Sequence, residues 1–62
     1  MDNQEVERLL YEVDEEGEGL TSREIEFIAD LIDQLDKKRI QVGNITISQR
    51  AWISYIHEKK VR

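Results

Sequence analysis

The ten residues RIQVGNITIS, at positions 39–48, decide the fold class of this 62-residue chain. Apolar side chains alternate with polar ones on both sides of Gly43-Asn44, at Ile40, Val42, Ile45 and Ile47. A two-residue Gly-Asn turn would pair the two halves as a β-hairpin with these four side chains on one face. That face would have to pack on helices, because an isolated hairpin is marginal in water. A plain loop leading into the last helix is the competing interpretation.

Two amphipathic helices are predicted before this stretch. The first runs from Asn3 to about Val13, with apolar residues at helical spacing along one side. The second begins at Thr21, and Glu24 three residues later completes the spacing of a capping box. This helix is predicted to end near residues 36–38, where lysines suit the negative end of the helix dipole.

A third helix is predicted after the stretch, starting at the N-cap Ser48. Trp52, Ile53 and Ile56 should face inward. The opposite face should carry Arg50, Ser54 and His57. Residues 59–62 should form a frayed basic tail.

The sequence therefore predicts one small α+β domain over residues 1–62, in the order helix, helix, β-hairpin, helix. The alternative is an all-α domain of three helices. The predicted core consists of Val6, Leu9, Leu10, Val13, Leu20, Ile25, Ile28, Ile32, Leu35, Ile40, Val42, Ile47, Trp52, Ile53 and Ile56. Cysteine is absent, which excludes disulfides and thiolate metal sites. A small domain without such staples depends on its core, on a partner or on a second copy, so a homodimer is possible.

The charge is divided sharply along the chain. Residues 1–36 hold thirteen acidic and two basic side chains, a net of −11, whereas residues 37–62 hold seven basic and one acidic, a net of +6; the sum is −5. Such a division suits binding to a partner of opposite charge. We expect a basic protein surface to bind the acidic turn and the outer carboxylates of the second helix. These residues are Asp14, Glu15, Glu16, Glu18, Glu26, Asp30 and Asp33.

The segment DEEGEGLTSRE, residues 14–24, resembles an EF-hand calcium loop. Acidic residues and a glycine stand at loop positions 1, 3, 5 and 6, as in that pattern. Position 12, which needs a bidentate glutamate, is Ile25, because Glu24 comes one residue early. We interpret the segment as an acidic turn before a helix and assign no metal site.

Two further resemblances concern helix starts. LTSREIEFIADLI, residues 20–32, resembles the opening of the LuxR-type helix-turn-helix, and ISQRAWISYIHEKK, residues 47–60, its recognition helix. That family has a short scaffold helix where residues 37–46 indicate strand and turn. LTSREIEFI with ISQRAWI is also similar to a pattern in short phage-encoded accessory proteins of unassigned role. This second resemblance implies a small accessory protein near DNA-metabolism or host-takeover genes.

A basic patch gives an alternative function, binding of nucleic acid through the last third of the chain. Its residues, which lie close to two aromatic residues in the sequence, are Arg50, Lys59, Lys60 and Arg62. The excess of acidic residues makes this the less favoured partner class.

No catalytic group is predicted. His57 shares a helix with Ser54 and Glu58, but this geometry does not form a catalytic triad. We expect a non-enzymatic protein without cofactors. We also expect a cytoplasmic protein, since no apolar run is long enough for a membrane span.

Overall fold

The computed structural model describes residues 2–61 and contains three α-helices. Helix α1 spans Asn3–Glu16, α2 spans Ser22–Asp36 and α3 spans Ile47–Lys60, with a 3-10 turn at Val42–Asn44. Residues 2–61 contain no β-strand, and none of their helices is long and apolar enough to cross a bilayer. The α+β prediction is therefore wrong, and the all-α alternative is correct.

Residues 39–48 do not form a hairpin, and their apolar side chains face different directions. Ile45 is 3% exposed, whereas Ile47 is 86% exposed, although a hairpin would place both on one face. Asn44 closes the 3-10 turn. Its backbone N–H donates to Gln41 O (2.8 Å), and its Oδ1 accepts from the Gln41 backbone N–H (2.9 Å). The alternating pattern thus reflects a turn with one buried isoleucine.

Helix α3 starts earlier than predicted, because Thr46 rather than Ser48 is its N-cap. Thr46 Oγ1 accepts a hydrogen bond from the Gln49 backbone N–H (3.1 Å). In return, Gln49 Oε1 accepts one from the Thr46 backbone N–H (2.8 Å). This complete capping box satisfies two backbone donors that have no partner within the helix. Ile47 becomes the first helical residue and points to solvent.

The core is centred on α1, which packs against α2, α3 and the 3-10 turn. Its buried residues are Val6, Leu9, Leu10, Val13, Ile28, Leu31, Ile45, Ile53 and Ile56. Partly buried apolar residues pack around them, namely Leu20, Phe27, Ile32, Leu35, Ile40, Val42 and Val61. The apolar face predicted for α1 is confirmed in full, since all four of its predicted core residues are buried.

Three residues of the predicted core lie at the surface. Ile25 is 52% exposed, Ile47 is 86% exposed and Trp52 is 37% exposed. Periodicity identifies a broad apolar stripe on a helix but does not locate its margins. Trp52 lies at such a margin and stacks on Phe27 of α2, with ring centroids 4.2 Å apart.

The prediction that Arg50 and His57 lie on the outer face of α3 is wrong, because both contact α1. Arg50 Nη2 donates to Asn3 Oδ1 (2.9 Å), and His57 Nε2 lies 2.7 Å from Glu12 Oε1. The two contacts follow the same order along both helices. Helices α1 and α3 therefore run side by side in the same direction.

The C-terminal end of α2 forms a Schellman motif. Lys38 takes the left-handed conformation with φ +57°, a position where glycine is common. Its backbone N–H donates to Leu35 O (3.1 Å), and that of Arg39 donates to Gln34 O (2.9 Å). A lysine here carries the steric strain that a Cβ brings to this conformation.

Residues 59–61 were predicted as part of a frayed tail, but they belong to the folded domain. Helix α3 includes Lys60, and Val61 packs against the core. The Val61 backbone N–H donates to His57 O (3.1 Å). Arg62 lies outside the described residues.

Candidate protein-interaction surface

Four of the predicted partner-binding residues surround the C-terminal end of α1. Asp14, Glu15 and Glu16 occupy its last turn, and Glu18 follows the C-cap Gly17. All four carboxylate side chains are exposed. We call residues 14–18 the acidic turn.

Contacts with the end of α3 fix the backbone beside the acidic turn. The Glu18 backbone N–H donates to Lys60 O (3.0 Å), and Lys60 Nζ donates to Gly19 O (3.0 Å). Gly19 has φ +70°, a conformation that glycine adopts without steric cost. The carboxylates thus project from an anchored segment.

The other three predicted residues lie on the exposed side of α2. Glu26 and Asp30 are four residues apart and Asp33 follows three later, so all three are neighbours on the helix surface. Asp30 Oδ2 accepts from Gln34 Nε2 (2.7 Å), and Asp33 Oδ1 lies 3.2 Å from Lys37 Nζ. Both contacts are local to α2 and leave the side chains at the surface.

We call these seven residues together the acidic surface. Five of its carboxylates have no ion-pair or hydrogen-bond partner within residues 2–61, namely Asp14, Glu15, Glu16, Glu18 and Glu26. Asp14, Glu15 and Glu16 lie at the negative end of the α1 dipole, where acidic side chains are unfavourable. The last turn of α1 holds no basic residue. Their position therefore does not serve the stability of α1.

Glu24 has a structural role instead of the ligand role that an EF-hand loop would give it. Its Oε1 accepts from the Thr21 backbone N–H (2.8 Å), and its own backbone N–H donates to Thr21 Oγ1 (3.2 Å). The predicted capping box is confirmed, and Glu24 is 7% exposed. Within residues 2–61, no group of three or more acidic, histidine or cysteine side chains is placed to hold a metal ion.

Two side chains of the basic patch predicted in the last third of the chain, those of Arg50 and Lys60, form hydrogen bonds within the fold. Arg50 Nε donates to Ile45 O (2.9 Å), and its Nη2 donates to Val42 O (3.1 Å). Lys60 bonds the main chain of the acidic turn region, as described above. Of the described residues in the patch, Lys59 alone is fully at the surface.

Two polar links between helices were not predicted from the sequence. Glu12 contacts His57 of α3 and also forms an ion pair with Arg8 (3.0 Å); the hydrogen bonds from His57 and Arg8 lower the pKa of the Glu12 carboxyl. Tyr11 Oη donates to Asp36 Oδ1 (3.1 Å). Partial burial and then this bond to Asp36 raise the pKa of Tyr11. These links hold α1 to both neighbours and do not form a catalytic arrangement.

Comparison with known proteins gives no relative: no protein family, no curated protein and no solved structure matches the chain. Function must therefore be argued from the surface of this protein itself.

Proposed function

We propose that this protein is a non-enzymatic interaction module, a regulator or inhibitor that binds a basic surface on another protein. The exposure of the acidic surface carries the proposal. Seven carboxylates project from the acidic turn and α2, and five of them have no ion-pair partner within residues 2–61. Of the seven basic side chains in the last 26 residues, only Lys37 among those that the structure describes pairs with this surface, through Asp33.

A partner that handles nucleic acid, such as a transcription enzyme, fits this surface best. Such proteins carry basic grooves that bind phosphates, and spaced carboxylates present a comparable series of negative charges. A field of one sign also accelerates association with an oppositely charged partner. The resemblance to phage accessory proteins supports the same role, with action in the host cytoplasm.

Nucleic acid itself is the weaker candidate as the partner. The net charge of −5 opposes the approach of phosphate. Arg50 and Lys60 donate to main-chain carbonyls rather than projecting together as a patch.

Affinity capture with charge-matched variants tests the proposal. The native chain is compared with E15Q/E16Q/E18Q and with the control E5Q/E7Q/E58Q, which removes the same charge from exposed carboxylates elsewhere. A protein captured from the native host by the native chain and the control, but not by the first variant, is the expected result. Its capture should weaken as salt rises, because the contact is electrostatic.

A captured protein that both variants retain equally would contradict the proposal. Capture lost equally with both variants would show a general charge effect and would also contradict it. Circular dichroism of each variant establishes that the helices are intact before capture is compared.

A further inference from the structure

The segment between α1 and α2, residues 17–20, is attached to the rest of the fold through one residue of α3. Within residues 2–61, both hydrogen bonds between this segment and residues distant in sequence involve Lys60. The Glu18 backbone N–H donates to Lys60 O (3.0 Å), and Lys60 Nζ donates to Gly19 O (3.0 Å). A single residue at the end of α3 therefore holds two successive residues of the segment.

Close contacts fix the two ends of this segment. A Cβ atom at Gly17 would lie 2.5 Å from Val13 O, so the chain can pass this carbonyl only with a glycine. At the other end, Leu20 packs against the core. The middle of the segment, where Gly19 takes the left-handed conformation with φ +70°, depends on Lys60 for its contacts.

The ammonium group of Lys60 binds the main chain of the segment and not a carboxylate. Helices α1 and α3 run in the same direction, so the negative ends of both helix dipoles lie here and favour a positive charge. The acidic turn adds four carboxylates to this end of the molecule, yet Lys60 forms no ion pair with a carboxylate of residues 2–61. Lys60 therefore fixes the backbone and leaves the carboxylates available to another molecule.

We propose that Lys60 is a positioning residue for the acidic turn, and that its bond to Gly19 O holds the turn in the conformation that the basic partner binds. This inference rests on the proposed function. A surface that is fixed before binding loses less conformational entropy in the complex. Loss of the ammonium group should therefore loosen the turn and weaken the binding of the partner.

The charge of Lys60 acts in the opposite direction, which separates positioning from electrostatics. A positive charge here repels a basic partner, so charge alone predicts that neutralising a lysine at this end strengthens binding. The variant K60M keeps the apolar stem of the side chain and removes the ammonium group. The control K59M removes the same charge from an exposed side chain that has no hydrogen-bond or ion-pair partner within residues 2–61. The variant K60R keeps both the charge and a donor.

Exchange of the Glu18 amide proton with water, followed by NMR, tests the positioning of the turn without any partner. K60M should raise this exchange rate about two- to tenfold, the effect of losing one hydrogen bond, whereas K59M and K60R should exchange as the native chain does. The amide of Ile53, whose side chain is fully buried, reports on the whole fold and should be unchanged. A native exchange rate at Glu18 in K60M, or an equal rise at Glu18 and Ile53, overturns the proposal.

Titration with the protein that the native chain captures from its host tests the role in binding. K60M should bind this protein less tightly than the native chain, by up to about tenfold, because only molecules with the turn in place are competent to bind. K59M should bind equally or more tightly, and K60R should bind as the native chain does. A K60M variant that binds as tightly as K59M overturns the positioning role. If the native chain captures no protein, the proposed function fails and the role in binding fails with it, whereas the exchange rates still decide whether Lys60 fixes the turn.

Discussion

Replacing the three carboxylates in the last turn of α1 should stabilise the protein. The triple variant D14N/E15Q/E16Q keeps the size and shape of each side chain and removes three negative charges. In the native chain these charges lie at the negative end of the helix dipole, beside one another, with no ion-pair partner within residues 2–61. Acidic residues in this position oppose the dipole and repel each other.

The size of the effect follows from these positions. A charge at a helix end contributes about 0.3–1 kcal/mol at low ionic strength, so three unfavourable ones amount to about 1–3 kcal/mol. Because the side chains are exposed to water, we take the lower end, about 1 kcal/mol. For a domain of this size, this raises the melting temperature by about 4–8 °C.

Thermal unfolding followed by circular dichroism measures the change at two salt concentrations. The gain should be largest near 0.01 M salt, where the Debye length is about 30 Å, and should shrink at about 0.5 M. The control E5Q/E7Q removes charges from the N-terminal half of α1, where the dipole favours them, and should not stabilise. A triple variant no more stable than the native chain at low salt, or a gain unaffected by salt, would refute this reasoning.

Three other predictions concern the termini and links of the helices. K38G should raise the free energy of unfolding by about 1 kcal/mol in chemical denaturation, since glycine removes the strain of the left-handed conformation; an unchanged or lower value would count against the Schellman geometry. T46A should lower it by about 1 kcal/mol and S48A by much less, because Thr46 is the N-cap; the reverse order would restore the predicted start at Ser48. The bond with His57 lowers the pKa of Glu12 below its usual value of 4.5. The bond therefore contributes to the free energy of unfolding above pH 4.5, and this contribution is lost as pH falls through the folded-state pKa. Between about pH 5 and pH 3, the native chain should lose more stability than E12Q, and equal losses would contradict the link.

The parts of the fold that rest on local chemistry could be predicted from the sequence. Thr21 and Glu24 form the capping box that their spacing predicts. The buried face of α1 follows from four apolar residues at helical spacing, and this prediction is confirmed. Two glycines separate α1 from α2, but α1 continues to Glu16, three residues beyond the end predicted near Val13.

The fold class could not be predicted, because residues 39–48 fit both a strand pair and a turn. Their alternation spans only four apolar residues, and tertiary packing buries Ile45 while leaving Ile47 in solvent. Over so short a segment, burial against the rest of the molecule outweighs periodicity. Thr46, two positions before the predicted cap Ser48, is the N-cap of α3.

The orientation of α3 depends on contacts between residues far apart in sequence. Arg50 and His57 reach Asn3 and Glu12, respectively, across more than forty residues of chain. No local signal predicts such contacts. Ile47 was predicted in the core as part of the hairpin, yet it is the first residue of α3 and is 86% exposed.

Zero-length crosslinking of a captured complex tests the role of the acidic surface most directly. A carbodiimide joins carboxylates to lysines in contact, and mass spectrometry locates each joined pair. We predict crosslinks from the partner's lysines to the acidic turn and to Glu26, Asp30 or Asp33. Crosslinks confined to carboxylates elsewhere, such as Glu5, Glu7 or Glu58, would contradict the account.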